Sequence, residues 1–126
     1  MSFWLPSAAR FMMALLFLIS GMSKLLSPIP SQAFMQAYHV PVILVWPAGV
    51  WEVCSALALI FGLWLGPVSV LLAGWCLLTA VIFHIDFGDM VQLTNFFKNT
   101  TMAGAFLLLA TVRIPGWSAR YPANRT

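Results

Sequence analysis

Charged side chains are the scarcest thing in this chain. There are 6 Lys+Arg and 3 Asp+Glu among 126 residues, or 7%, where soluble domains carry about 25%. A water-solvated globular surface is thereby excluded. The net charge of +3 is spread too thinly along the chain to form a phosphate-binding stripe, so nucleic acid is not an expected partner. Cysteine is nearly absent, and Cys54 and Cys76 do not form a C-x-x-C pair, which removes the strongest local redox signature. They are read as small apolar packing residues, since thiols buried in apolar surroundings are inert. The two histidines, His39 and His84, stand far apart with scattered carboxylates, and this is not a metal-ligand spacing. No glycine-rich phosphate loop, nucleophile elbow or carboxylate pair supports a kinase or hydrolase.

What is present is hydrocarbon. The sequence is 62% hydrophobic with a mean hydropathy of +0.95, the composition of an integral membrane protein. Four apolar runs are separated by turn-forming stretches: Ala8 to Leu26, Val42 to Leu65, Val68 to Ile85 and Leu93 to Val112. Each is long enough to cross about 30 Å of hydrocarbon as a helix. The breaks fall at "SPIPSQ", "LGP", "DFGDM" and "RIPG", all rich in residues that interrupt helices. The expected fold is therefore all-α, a polytopic membrane protein built as one four-transmembrane-helix bundle over residues 1–126. The first connection, about Ser27 to Pro41, has room for a short interfacial helix around Gln32 to Tyr38. Arg10 precedes the first apolar run as in a secretory leader, but the pattern continues through Leu26 and is read as a retained span.

Arg10, Arg113, Arg120 and Arg125 fall on the side shared by both termini and Lys24 on the other, which predicts cytoplasmic termini. Trp4, Trp46, Trp64 and Trp117 lie near predicted span ends and suit an interfacial belt. Gly21, Gly49, Gly62, Gly74 and Gly104, with Ala56, Ala73 and Ala103, supply small surfaces for close helix contact.

The informative residues are those that are costly in a bilayer. Glu52 lies about 16 Å into the second helix if that helix starts near Pro41, close to the membrane centre, so its carboxyl must be neutral, paired or facing a wet cavity. It can carry a proton, accept a hydrogen bond from a ligand, or simply pair with a lysine. Lys98 lies one to two turns into the fourth run and can snorkel outward, either to Asp86 or Asp89 or to the wall of a polar pocket. Thr94, Lys98 and Thr101 share one helical stripe, with Asn95 and Asn99 beside it. Asn99 and its neighbours are expected to hydrogen-bond across helices. His84, at a helix end, can relay a proton or contact a carbonyl ligand. Together, Lys24, Glu52, His84, Lys98 and Asn99 form the candidate binding pocket, near the face opposite the termini.

The stretches "ARFMMALLFLISGMSKL", "VPVILVWPAGVWEVCSALALIFGL", "AVIFHIDF" and "NFFKNTTMAGAFLLLA" resemble the DoxX family of small bacterial membrane proteins, in its YphA-like branch. The matching motif positions are Arg10, Ser20, Gly21, Lys24, Glu52, His84, Lys98 and Asn99. The resemblance implies a bacterial inner-membrane four-helix protein with a redox association, since relatives include the small subunit of a thiosulfate:quinone oxidoreductase. A quinone is accordingly the candidate small molecule, and a membrane or periplasmic redox protein the candidate partner. The competing expectations are a structural or assembly subunit of a larger membrane complex and a small proton or solute carrier.

Overall fold

The computed structural model describes residues 4–111. It contains helices α1 (Trp4–Leu26), α2 (Ile29–Ala37), α3 (Val45–Phe61), α4 (Leu65–Phe83) and α5 (Met90–Thr111), with a 3-10 turn at Val42–Leu44 leading into α3. Four long helices and the short α2 in the first connection make an all-helical membrane bundle. Trp4–Leu26, Val42–Phe61 and Leu65–Phe83 are each long and apolar enough to cross a membrane. At 22 residues, α5 is also long enough, about 33 Å at 1.5 Å per residue, but Gln92, Thr94, Asn95, Lys98 and Asn99 make its first half polar.

α1 and α4 begin earlier than the apolar runs suggest, and proline is the reason; α3 begins at Val45, after the 3-10 turn at Val42–Leu44. Pro6, Pro47 and Pro67 lie in the first turns of α1, α3 and α4, where the backbone N–H has no intrahelical partner and its loss costs nothing. The break read at Leu65 to Pro67 is thus the first turn of α4, and the connection is Gly62 to Trp64. Gly62 sits at φ 72°. The backbone N–H groups of Gly62 and Leu63 donate to the carbonyls of Leu59 and Ala58 at 3.4 and 2.8 Å, closing α3 with a left-handed cap that glycine adopts freely. At the start of α5, Asp89 accepts from the Val91 N–H at 2.9 Å. It caps the helix, so α5 begins at Met90 rather than Leu93. Arg113, Trp117, Arg120 and Arg125 lie outside the described residues.

α1 packs along α3 and α4 along α5, with lighter contact between α3 and α4. α1 and α3 run antiparallel, because Gly21 meets Gly49 and Val53 while Arg10 meets Gly62. A Cβ at Gly21 would come within 2.8 Å of the Gly49 carbonyl oxygen, so the crossing depends on glycine. Gly74 and Gly104, by contrast, have nothing within 4 Å of where a Cβ would sit, and they contribute no close contact among the described residues. Ala14, Phe17, Ala56, Leu59, Leu65, Leu72, Ala73, Cys76, Ala103 and Phe106 form one core that joins all four long helices. Phe17 and Phe106 meet edge to face at 5.6 Å. Much of the remaining surface is large and apolar, including Leu57, Phe61, Leu71, Val81 and Leu108. In water such a surface would be an aggregation liability, whereas in a bilayer it faces a solvent of its own polarity. The cysteines are free thiols, Cys54 exposed on the outside of α3 and Cys76 buried in the core.

Candidate functional site

Glu52 lies near the middle of α3, about 10 Å from its start at Val45, and it is 4% exposed. The Gly21 crossing brings α1 close enough for Lys24 to reach it. Lys24 Nζ lies 3.2 and 2.9 Å from Glu52 Oε1 and Oε2 and also donates to Ser20 Oγ at 2.7 Å. From α4, Trp75 Nε1 donates to Glu52 Oε1 at 3.2 Å. Burying two charges is affordable only when they neutralise each other and their remaining lone pairs and protons are satisfied, and these contacts do that. Of the readings open for Glu52, the lysine pair is the one formed.

Above this node the bundle is hollow. A cavity of about 880 Å³ is bounded by all five helices, and Lys24, Glu52, His84 and Asn99 all line it. Its walls are mostly apolar, with Phe17, Met35, Leu44, Ala48, Leu78 and Ile82 among them, and Ser20, Trp51, Trp75 and Thr79 add polar atoms. α2 forms its roof, because Phe34 stacks on Phe83 at 5.1 Å and Tyr38 meets Phe83 edge to face at 5.3 Å. The interfacial helix expected from the first connection is therefore a lid bolted by aromatic contacts to the end of α4. His84 follows α4 and shares a 2.6 Å hydrogen bond between Nδ1 and Gln92 Oε1 of α5, which fixes its ring at the cavity rim.

Four of the five candidate residues thus share one cavity, and Lys98 is the one set apart. It lies in a separate groove of about 650 Å³ with Leu16, Leu93, Thr94, Phe97, Thr101 and Met102. Among the described residues it forms no ion pair with Asp86 or Asp89; the Lys24–Glu52 contact is the salt bridge found. The polar side chains of α5 also differ from expectation. Asn99 Nδ2 donates to the carbonyl of Asn95 at 3.1 Å, and Thr94, Thr100 and Thr101 donate to carbonyls of their own helix. Bonding back to the preceding turn satisfies each donor without a neighbouring helix.

Trp51 and Trp75 were not anticipated as site residues. They meet edge to face at 6.4 Å, and Trp51 Nε1 is a buried donor with no hydrogen-bond partner among the described residues. The signal was available in the sequence. These two tryptophans sit in the middle of apolar runs rather than at their ends, where an indole N–H has to find an acceptor or go without.

The family description DoxX matches residues 5–85. The chain belongs to the DoxX family. Two relatives from Escherichia coli (strain K12) support the assignment. Inner membrane protein YqjF is 36% identical over 102 residues, covering 81% of this chain and 78% of that protein. Inner membrane protein YphA is 36% identical over 109 residues, with the same coverage of 81% and 78%. No solved structure matches the chain. The DoxX match spans α1 to α4 and takes in Lys24, Glu52, Trp75 and His84. Lys98 and Asn99 lie on α5, beyond it. The chain is a DoxX-family membrane protein whose relatives are inner-membrane proteins.

Proposed function

We propose that this DoxX protein binds a small amphipathic molecule of the quinone class in the cavity beneath α2, in service of a redox process. The observation that carries the reading is the cavity itself: about 880 Å³, within the size range of small-molecule sites, apolar-walled, with a few polar groups converging on it. A quinone has a flat apolar ring and two carbonyl acceptors. Among the polar groups lining that space, Asn99 keeps a second amide N–H beyond its bond to the Asn95 carbonyl, and Ser20 and the Lys24–Glu52 pair stand beside it. Electrons would come from a membrane or periplasmic redox partner, because the described residues include no redox pair of their own. With both termini on the cytoplasmic side, as the basic residues argue, the α2 lid faces the periplasm.

The test is titration of the purified protein with a short-chain benzoquinone, read as quenching of tryptophan fluorescence, beside quinone analysis of lipid extracts from the purified material. Saturable quenching is expected. Ala48→Trp, which fills the cavity, should abolish it, and Glu52→Gln, which disturbs the donors around the node, should weaken binding about fivefold to tenfold, the worth of one hydrogen bond. Absence of saturable quenching in the unaltered protein, or an Ala48→Trp variant that binds as well, sinks the reading. Should the protein instead carry no quinone and co-purify with a stable membrane partner, the assembly-subunit function takes its place.

A further inference from the structure

The groove between α1 and α5 is not part of the cavity and has its own chemistry. We propose that it is a binding site for a bilayer phospholipid with a net-negative head group, held at Lys98.

The first argument is charge. Of the two lysines in the helical bundle, Lys24 is neutralised by Glu52 at 2.9 Å. Lys98 is exposed and has neither an ion pair nor a hydrogen bond among the described residues. The nearest carboxylates in sequence precede α5, and Asp89 is engaged in capping it through the Val91 N–H. An ammonium set in an apolar surface with no internal counter-charge is complementary to an external anion.

The second argument is the shape and lining of the groove. Beside Lys98 run Leu16 of α1 and Leu93, Phe97 and Met102 of α5, enclosing about 650 Å³. Thr94 and Thr101 also line it, but their hydroxyls donate to Met90 and Phe97 carbonyls at 2.8 Å, so the wall presents little unsatisfied polarity to an acyl chain. The third argument is depth. Lys98 lies eight residues into α5, about 12 Å along the axis, and its stem leans back toward the Met90 end. The ammonium is carried toward head-group level while the groove continues into the hydrocarbon. A phosphate at Lys98 with a chain laid toward Leu16 and Met102 satisfies both parts. Those last two residues also line the inner cavity, so single side chains separate the lipid chain from it.

The experiment uses the full chain reconstituted in phosphatidylcholine vesicles with tracer spin-labelled phosphatidylglycerol or phosphatidylcholine, reading the motionally restricted fraction of each. Phosphatidylglycerol is expected to be favoured roughly fivefold, the effect of one lysine near an anionic head group. Lys98→Gln should remove that preference and Lys98→Arg should keep it. Thr101→Phe fills the groove without changing charge, and it should lower the restricted phosphatidylglycerol fraction. Both side chains are exposed, so the variants leave the core untouched. Equal association of the two lipids with the unaltered protein, a preference that survives Lys98→Gln, or indifference to Thr101→Phe overturns the proposal. None of these outcomes depends on whether the inner cavity binds a quinone.

Discussion

Around Arg10 and Gly62 the long helices meet side chain to side chain, with Leu59 and Leu65 fully buried, whereas around Lys24 and His84 the α1–α3 pair, itself close at Gly21 and Gly49, and the α4–α5 pair enclose a cavity between them. The difference begins with the connections. At the Arg10 end, three residues join α3 to α4, and Gly62 comes so close to Arg10 that a Cβ would lie 2.5 Å from Nη1. The buried guanidinium sits beside the C-terminus of α3, where a cation is favoured by the helix dipole. At the other end α1 and α3 are joined by a long segment that includes α2, and this segment covers the gap rather than closing it. One bundle therefore devotes one end to packing and the other to a ligand-sized space, with the Lys24–Glu52 pair at the boundary.

Substitutions should separate the two ends by size of effect, measured as unfolding free energy in mixed micelles. The largest loss is expected at the boundary. Glu52→Ala leaves the Lys24 ammonium without its partner and should cost about 3–5 kcal/mol, while Lys24→Met with Glu52→Leu should recover most of that stability. A double variant as unstable as the single one would mean that the pair does more than neutralise itself. Next comes a direct comparison of the ends. Leu59→Ala removes packing at the closed end and should cost about 2–3 kcal/mol, because the loss is of contacts rather than of shelter from water. Leu78→Ala, at a cavity-lining residue that is 51% exposed, should cost under about 1 kcal/mol by the same reasoning. Equal losses would erase the distinction between a packed and a hollow end. The glycines separate the helix crossing from open surface. Gly21→Ala drives a methyl into the backbone of α3 and should cost about 1–2 kcal/mol, and Gly104→Ala, in open space, should be neutral or slightly stabilising.

The helices were legible because apolar length and turn chemistry are strong signals. The start of α4 was misplaced because Pro67 was read as a break, although a proline three residues into that helix removes no hydrogen bond. Asp89 was considered as a partner for Lys98, and it caps the helix that carries Lys98. Lys24, Glu52, His84 and Asn99 could be nominated from the cost of polar groups in hydrocarbon, which is a local property. What the sequence could not display was which of them share a space. That depends on the Gly21 crossing, on the placement of α2 over Phe83, and on the divergence of α1 from α5 that leaves Lys98 in a groove of its own. Trp75 was overlooked because its importance lies in a single hydrogen bond to a residue 23 positions away.

The Lys24–Glu52 contact also bears on how the chain is assembled. Its two halves are 28 residues apart and enter the bilayer on different helices, so neither can be neutralised by the other until both helices have arrived. Lys24, near the end of α1, can wait at the lipid–water boundary. Glu52, in the middle of α3, cannot, so its charge goes unanswered until α1 and α3 meet. The bundle locks as α1 docks on α3, and the closing of that ion pair marks the step from inserted helices to a completed protein.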